Sequence, residues 1–129
     1  MINLLVVDDN PAETYLMVYA FEKFGSAVTF HHAKDGKEAL EALSQKTFDL
    51  MILDLNLPGL SGYDVLEQCP SSILPVVVFS LSSNEEDARR ALALGAREFV
   101  HKPAVLDTYR ETVVKMVERW VPEAAAASR

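Results

Sequence analysis

The chain has 129 residues, half of them hydrophobic and about a quarter charged, with a formal net charge of −7 at pH 7. That is the size and balance of one globular domain with one core, and the length is expected to leave no room for a second folded unit. No apolar run approaches the roughly 20 residues that span a bilayer, and the acidity would repel nucleic acid and anionic lipid at long range. Direct nucleic-acid binding and membrane association are therefore not expected, and a protein partner is. Met1 leads straight into Ile2-Asn3-Leu4 with no basic segment or cleavage site of a secretory signal, which points to a cytoplasmic setting. Cys69 is the only cysteine, so an internal disulfide and cysteine metal sites are excluded.

In chain order, short runs rich in Val, Ile and Leu alternate with stretches of helical spacing. Five strands are predicted, at Leu4 to Val7, Ala27 to His31, Leu50 to Leu53, Pro75 to Phe79 and Glu98 to Val100. The alternation predicts an α/β fold around a parallel sheet. The first, third and fourth strands are nearly continuous apolar runs, so they should be central, covered by helices on both faces. Asn10-Pro11-Ala12-Glu13 marks the first helix, with a capping Asn, Pro at the first helical position and an acid in the first turn. Asp35-Gly36-Lys37-Glu38, Ser61 with Asp64, and Ser83-Asn84-Glu85-Glu86 mark three more. Leu16, Tyr19, Ala20 and Phe24 form an apolar stripe on the first helix, and Leu106, Tyr109, Val113, Met116, Val117 and Trp120 one on the last. Gly25 and Gly95 stand where left-handed residues end helices. Residues 1–121 are expected to form the domain, and 122–129, with Ala124 to Ala127, a flexible tail.

Ligands of open parallel sheets bind outside the carboxyl ends of the strands. The residues there are Asp8-Asp9 after the first strand, Asp54 after the third, Ser80 after the fourth and His101-Lys102-Pro103 after the fifth. Acids at strand ends often cap helices, but Asn10 already caps the first helix and Asp54 is followed by Leu55-Asn56-Leu57-Pro58-Gly59. Capping does not explain them. Carboxylates about 5 Å apart repel by roughly 3 kcal/mol per pair at an effective dielectric near 20, and Lys102 offsets only part of this. A divalent cation is the economical remedy, and an all-oxygen site that keeps waters suits Mg²⁺ better than Zn²⁺.

Asp8-Asp9, Asp54 within Ile52-Leu53-Asp54-Leu55-Asn56-Leu57-Pro58-Gly59-Leu60-Ser61-Gly62, Ser80 and Lys102-Pro103 resemble, in order and spacing, the receiver domains of bacterial two-component response regulators. The likeness runs from Asn3 to about Trp120, and Asp54-Leu55-Asn56-Leu57-Pro58 is similar to the stand-alone regulators served by phytochrome-type histidine kinases. The resemblance implies a flavodoxin-like five-stranded parallel sheet of order 2-1-3-4-5 with helices on both faces. It further implies Asp54 as phosphoacceptor, Asp8, Asp9, Asp54 and the Asn56 backbone carbonyl around Mg²⁺, and Ser80 and Lys102 on the phosphoryl oxygens. Ser80 and Phe99 would be the switch pair, with Leu81 crowding the space into which Phe99 turns, and the Lys102-Pro103 peptide would be cis. Asn56 and Ser82 would flank the water that ends the acylphosphate. The implied donor is a sensor histidine kinase or a histidine phosphotransfer protein.

Other residues weigh less. His31 and His32 are adjacent on an edge strand and point to opposite faces, which disfavours joint metal ligation. His101 lines the rim, and Arg89 and Arg90 read as a solvated helix face. Two alternatives remain. A haloacid dehalogenase-type phosphohydrolase would need an acid where Asn56 stands and a substrate cap; a degenerate receiver would bind partners without phosphorylation. Ala88, Ala91, Leu92 and Leu94 on the fourth helix and Val113, Val117 and Trp120 on the fifth suggest an output face of helix 4, strand 5 and helix 5, suited to a homodimer.

Overall fold

The computed structural model describes residues 2–22, 27–69 and 74–127. Five strands, β1 (Ile2–Val7), β2 (Val28–Ala33), β3 (Leu50–Leu53), β4 (Val76–Ser80) and β5 (Glu98–His101), form one parallel sheet of order β2-β1-β3-β4-β5. They alternate with α1 (Pro11–Ala20), α2 (Gly36–Gln45), α3 (Gly62–Gln68), α4 (Glu85–Ala93) and α5 (Leu106–Trp120), followed by a short α6 (Pro122–Ala127).

Each of the strands expected at the centre is buried along its length: β3 and β4 completely, β1 except at Asn3. Two apolar clusters cover the sheet. One face packs Leu4, Val6, Ile52, Val77 and Phe79 under α1 and α5; the other packs Leu5, Val7, Met51, Leu53 and Val78 under α2, α3 and α4. The alternation of side chains along a strand explains the division. Edge strand β2 starts one residue later and ends two later than its pattern suggests, because it pairs with the whole of β1, from Ile2 opposite Val28 to Val7 opposite Ala33. Pro75 lies outside β4 and has no N–H to donate, but its carbonyl accepts from Met51.

Local signals set the helix starts. Asn10 accepts from the Ala12 amide, Asp35 from Glu38 and Asn84 from Glu86, while Ser61 and Asp64 form a reciprocal capping box. The stripe on α1 differs from expectation: Glu13, Met17 and Ala20 are buried, while Tyr19 is 45 % exposed. Phe24 and Gly25 lie outside the described residues. On α5, Tyr109, Val113, Met116 and Val117 are buried as expected, but Leu106 is 48 % exposed. The segment expected to be a flexible tail contains α6, whose Ala124 is fully buried. Gly95 has the positive φ its place at the end of α4 requires, 112°. Among the described residues, no helix is long and apolar enough to cross a membrane.

Candidate functional site

Sheet register brings the acids together. Val7 pairs with Leu53, the Asp54 amide continues the ladder by donating to the Val7 carbonyl at 2.9 Å, and the Asp8 amide donates to Ala33 at 3.0 Å. Asp8-Asp9 and Asp54 therefore leave adjacent strands side by side, and one oxygen from each of the three carboxylates lies within 4.8 Å of the others. Beyond Asp54 the chain turns through Gly59, whose φ of 73° suits a residue without a β-carbon. It then returns so closely that a β-carbon on Gly62 would stand 2.6 Å from the Asp54 carbonyl oxygen. Small residues here let the start of α3 rest on the backbone of Asp54 and Leu55.

A cavity of about 270 Å³ opens over this rim, lined by Asp8, Asp9, Asn10, Glu13, Asp54, Asn56, Leu81 and Lys102. Lys102 is 6 % exposed and extends its ammonium into a ring of carboxylates, with Nζ 2.8 Å from Asp8 Oδ2, 3.2 Å from Glu13 Oε1 and 3.3 Å from Asp54 Oδ2. Burial works against the ammonium, but the Asp8 hydrogen bond and the charges of Asp54, Asp8 and Glu13 outweigh it and raise the Lys102 pKa. Asp54 moves upward because burial disfavours its charge and Asp8 adds repulsion; Lys102 and the Asn56 amide, which donates to Oδ1 at 3.1 Å, only partly oppose this. Asp8 is held on its other side, where Oδ1 accepts from the Asn10 amide at 2.9 Å.

Of the expected site residues, the cavity gathers Asp8, Asp9, Asp54, Asn56 and Lys102. Ser80 is fully buried at the end of β4; its Oγ accepts from the Ser82 amide at 3.2 Å and its carbonyl from the Lys102 amide at 2.8 Å. Phe99 lies apart, half-buried against the α2, α3 and α4 side of the core. Two details correct the expectation. Leu81 is 72 % exposed on the cavity rim, so it does not fill the core side where Phe99 packs. No described peptide bond is cis, so Lys102-Pro103 is trans, and Lys102 reaches the carboxylates in that geometry.

Sequence reading missed three contributors. The sequence pattern gives Glu13 only a place in the first turn of a helix, yet it is buried, pairs with Lys102 and accepts a hydrogen bond from Tyr109. The available signal was an acid spaced with Met17 and Ala20 on the buried stripe of α1. Tyr109 reads from the sequence as plain core; burial and then Glu13 push its phenol far above the usual range, so the hydroxyl keeps its proton and donates it to Glu13. His32 Nε2 donates to the Asp8 carbonyl at 2.7 Å, a contact that depends on the β1–β2 register. Next to the site, Ser82 and Tyr63 both donate to Asp87, at 2.6 and 2.8 Å, tying the β4–α4 loop to α3 and α4. These two hydrogen bonds lower the Asp87 pKa. Arg90 stacks on the Tyr63 ring at 3.9 Å, while Arg89 pairs with Glu85 and Glu86 on the solvated face.

This fold and acidic pocket define a class, and comparison with known proteins identifies it. Residues 4–114 match the response regulator receiver domain. The chain belongs to that family, the receivers of two-component signalling, which are characteristically phosphorylated on an aspartate. It is 32 % identical over 128 residues to the probable methanogenesis regulatory protein FilR2 of Methanothrix harundinacea, covering 92 % of this chain and 83 % of that one. In other relatives the matched stretch is part of a longer chain, down to 12 % of its length. Among solved structures, the phosphorylated cyanobacterial phytochrome response regulator RcpA aligns with a TM-score of 0.83 at 30 % identity, over 94 % of each chain. The Mn²⁺-bound response regulator Rcp1 aligns with a TM-score of 0.81 at 26 % identity, over 94 % of this chain and 95 % of that one.

Proposed function

We propose that Asp54 is the phosphoacceptor of this receiver, taking a phosphoryl group from a sensor histidine kinase or a histidine phosphotransfer protein in the cytoplasm. We propose residues 1–121 as the receiver unit. The observation that carries the reading is the carboxylate triplet Asp8, Asp9 and Asp54 beside the buried Lys102 ammonium, at the ends of β1, β3 and β5. The donor set fits Mg²⁺: the ligands are oxygens, they crowd like charge, and the cavity has space for water. Asp8, Asp9, Asp54 and the Asn56 backbone carbonyl would hold it, and its chemistry there is neutralisation of charge on the transferred phosphoryl group.

The protein's own part is positioning. A carboxylate oxygen of Asp54 forms the new bond to phosphorus as the donor's phosphorus–nitrogen bond breaks and the histidine leaves with the electron pair. The Asn56 amide keeps the Asp54 carboxylate oriented. Lys102 supplies charge-assisted hydrogen bonds to the phosphoryl oxygens, which matter most as negative charge gathers during transfer. Ser80 would turn its hydroxyl from Ser82 toward the same group, and Phe99, which pairs with Val78 two residues before Ser80 in the β4–β5 register, would report that movement. Asn56 and Ser82 would flank the water that removes the phosphoryl group.

Incubation with acetyl phosphate and Mg²⁺, followed by intact-mass measurement, tests the proposal. A gain of one phosphate that persists supports it. Continuous turnover would favour a phosphohydrolase, and an unchanged mass a degenerate receiver that acts only by binding; Asn56, where a phosphohydrolase needs an acid, disfavours the former. Asp9 is exposed at the cavity mouth, so Asp9→Ala is expected to weaken Mg²⁺ about tenfold or more while changing metal-free stability by only about 0.5 kcal/mol. Calorimetric Mg²⁺ titration and urea melts in chelator read the two effects, and an unchanged affinity would remove Asp9 from the metal set.

The output surface we propose is α4, β5 and α5, forming a two-fold dimer whose strength responds to phosphorylation. Trp120 is a weaker anchor than its sequence position suggests, since it is half-buried and its Nε1 donates to Glu98 Oε1 at 2.8 Å. Leu92 and Leu106, each 48 % exposed, and Val105, 64 % exposed, offer the apolar surface instead. Sedimentation with and without a beryllofluoride mimic should show association that Leu92→Asp with Leu106→Asp removes; a monomer in every sample at micromolar concentration would refute the dimer.

A further inference from the structure

Glu13 enters the cavity from the first turn of α1, yet the cap of that helix is Asn10, and Glu13 is not part of the close carboxylate triplet. Its two oxygens have different partners. Oε1 faces the Lys102 ammonium at 3.2 Å, and Oε2 accepts the Tyr109 hydroxyl from α5. Tyr109 is itself fixed, buried on α5 with its ring 5.4 Å from that of Phe79.

An ammonium has three N–H donors. Around Lys102 two of them hydrogen-bond to Asp8 at 2.8 Å and to Asp54 at 3.3 Å, and Glu13 holds the same ammonium as an ion-pair partner at 3.2 Å, so three carboxylates compete with any further oxygen for a donor. A phosphoryl group arriving at Asp54 adds oxygens that need one. Asp8 holds Lys102 at the shortest distance and Asp54 is the seat of the new group, which leaves Glu13 as the partner to be exchanged.

We infer that Glu13 is a positioning residue for phosphoryl transfer: it holds the Lys102 ammonium back from the incoming phosphoryl group, and Tyr109 moderates that hold by engaging the other oxygen of the Glu13 carboxylate. The inference rests on the reading of Asp54 as acceptor. During transfer from acetyl phosphate, the bond from Asp54 oxygen to phosphorus forms while the donor's phosphorus–oxygen bond breaks, and acetate leaves with the electron pair. Lys102 keeps its proton and exchanges its ion pair with Glu13 for a charge-assisted hydrogen bond to a phosphoryl oxygen. Glu13 then turns more fully to Tyr109, so occupancy at the end of β3 is felt on α5.

Glu13→Gln keeps the shape and removes the charge. It is expected to raise the initial rate of labelling by acetyl phosphate about threefold or more. Tyr109→Phe keeps the ring packing, removes the hydroxyl and concentrates the Glu13 charge on Lys102, so the rate should fall about twofold in the wild-type background and not at all beside Glu13→Gln. A second readout needs no phosphodonor: the ¹⁵Nζ resonance of Lys102 in chelator should shift in Glu13→Gln, and shift with Tyr109→Phe only when Glu13 is present. Mg²⁺ affinity of Glu13→Gln should stay within about twofold of wild type.

Slower labelling in Glu13→Gln, an unmoved Lys102 resonance, or a Tyr109→Phe effect that survives in the double variant would each overturn the inference. A tenfold loss of Mg²⁺ affinity would do so too, by making Glu13 a metal ligand. Wild-type protein that takes no phosphate on Asp54 would defeat the acceptor reading instead, and the resonance would still decide whether Glu13 holds Lys102.

Discussion

Asp54→Asn is expected to abolish Mg²⁺-dependent phosphoryl labelling, the largest functional effect of any single change in this chain. An amide oxygen is a far poorer nucleophile than a carboxylate, and the substitution also removes one of the three crowded charges that would attract the cation. The fold should survive. Asparagine matches the shape of aspartate, can still accept from the Asn56 amide, and sits in a backbone ladder fixed by the Val7 carbonyl. Intact mass after incubation with acetyl phosphate, with peptide mapping of the wild type, checks the result. Labelling of the variant at a rate near that of wild type would assign the acceptor to another residue.

Lys102→Ala is expected to have the largest effect on stability. Removing the ammonium leaves Asp8, Asp54 and Glu13, each no more than 9 % exposed, without the cation that faces all three. Breaking a buried ion pair by removing one partner costs about 3–5 kcal/mol, and three acids share this one. The loss should be fullest in chelator. Mg²⁺ returns positive charge to the same cavity, and a ligand at 100 times its dissociation constant stabilises by about 2.7 kcal/mol. The sign with pH follows from Asp54, whose folded pKa is already raised by burial. An acid with a raised folded pKa binds its proton more tightly when folded, so ionisation lowers stability as pH rises from the unfolded value through the folded one. Without Lys102 that penalty grows, and the deficit should be smaller on the acid side. Urea denaturation in chelator and in Mg²⁺ measures both. A loss below about 1 kcal/mol in chelator would show that the carboxylates do not depend on Lys102.

The periodicity and turn chemistry of the sequence determined that five parallel strands alternate with helices, which strands lie at the centre, and which residues stand at the carboxyl ends. These follow from local rules: apolar runs such as Met51-Ile52-Leu53 can be satisfied only under helices on both faces, and Asn10, Asp35 and Ser61 cap where their side chains reach the next amides. The resemblance carried by Asp8-Asp9, Asp54, Ser80 and Lys102 supplied the family. Tertiary structure alone decided which of these groups touch. Lys102 chooses among acids distant in sequence, and no local pattern records that Glu13 and Tyr109, 96 residues apart, share a buried hydrogen bond. Glu13 was hidden because an acid in a first helical turn already has a sufficient local reason to be there. Only the packing of α1 against α5 turns that residue toward the Lys102 ammonium instead of solvent.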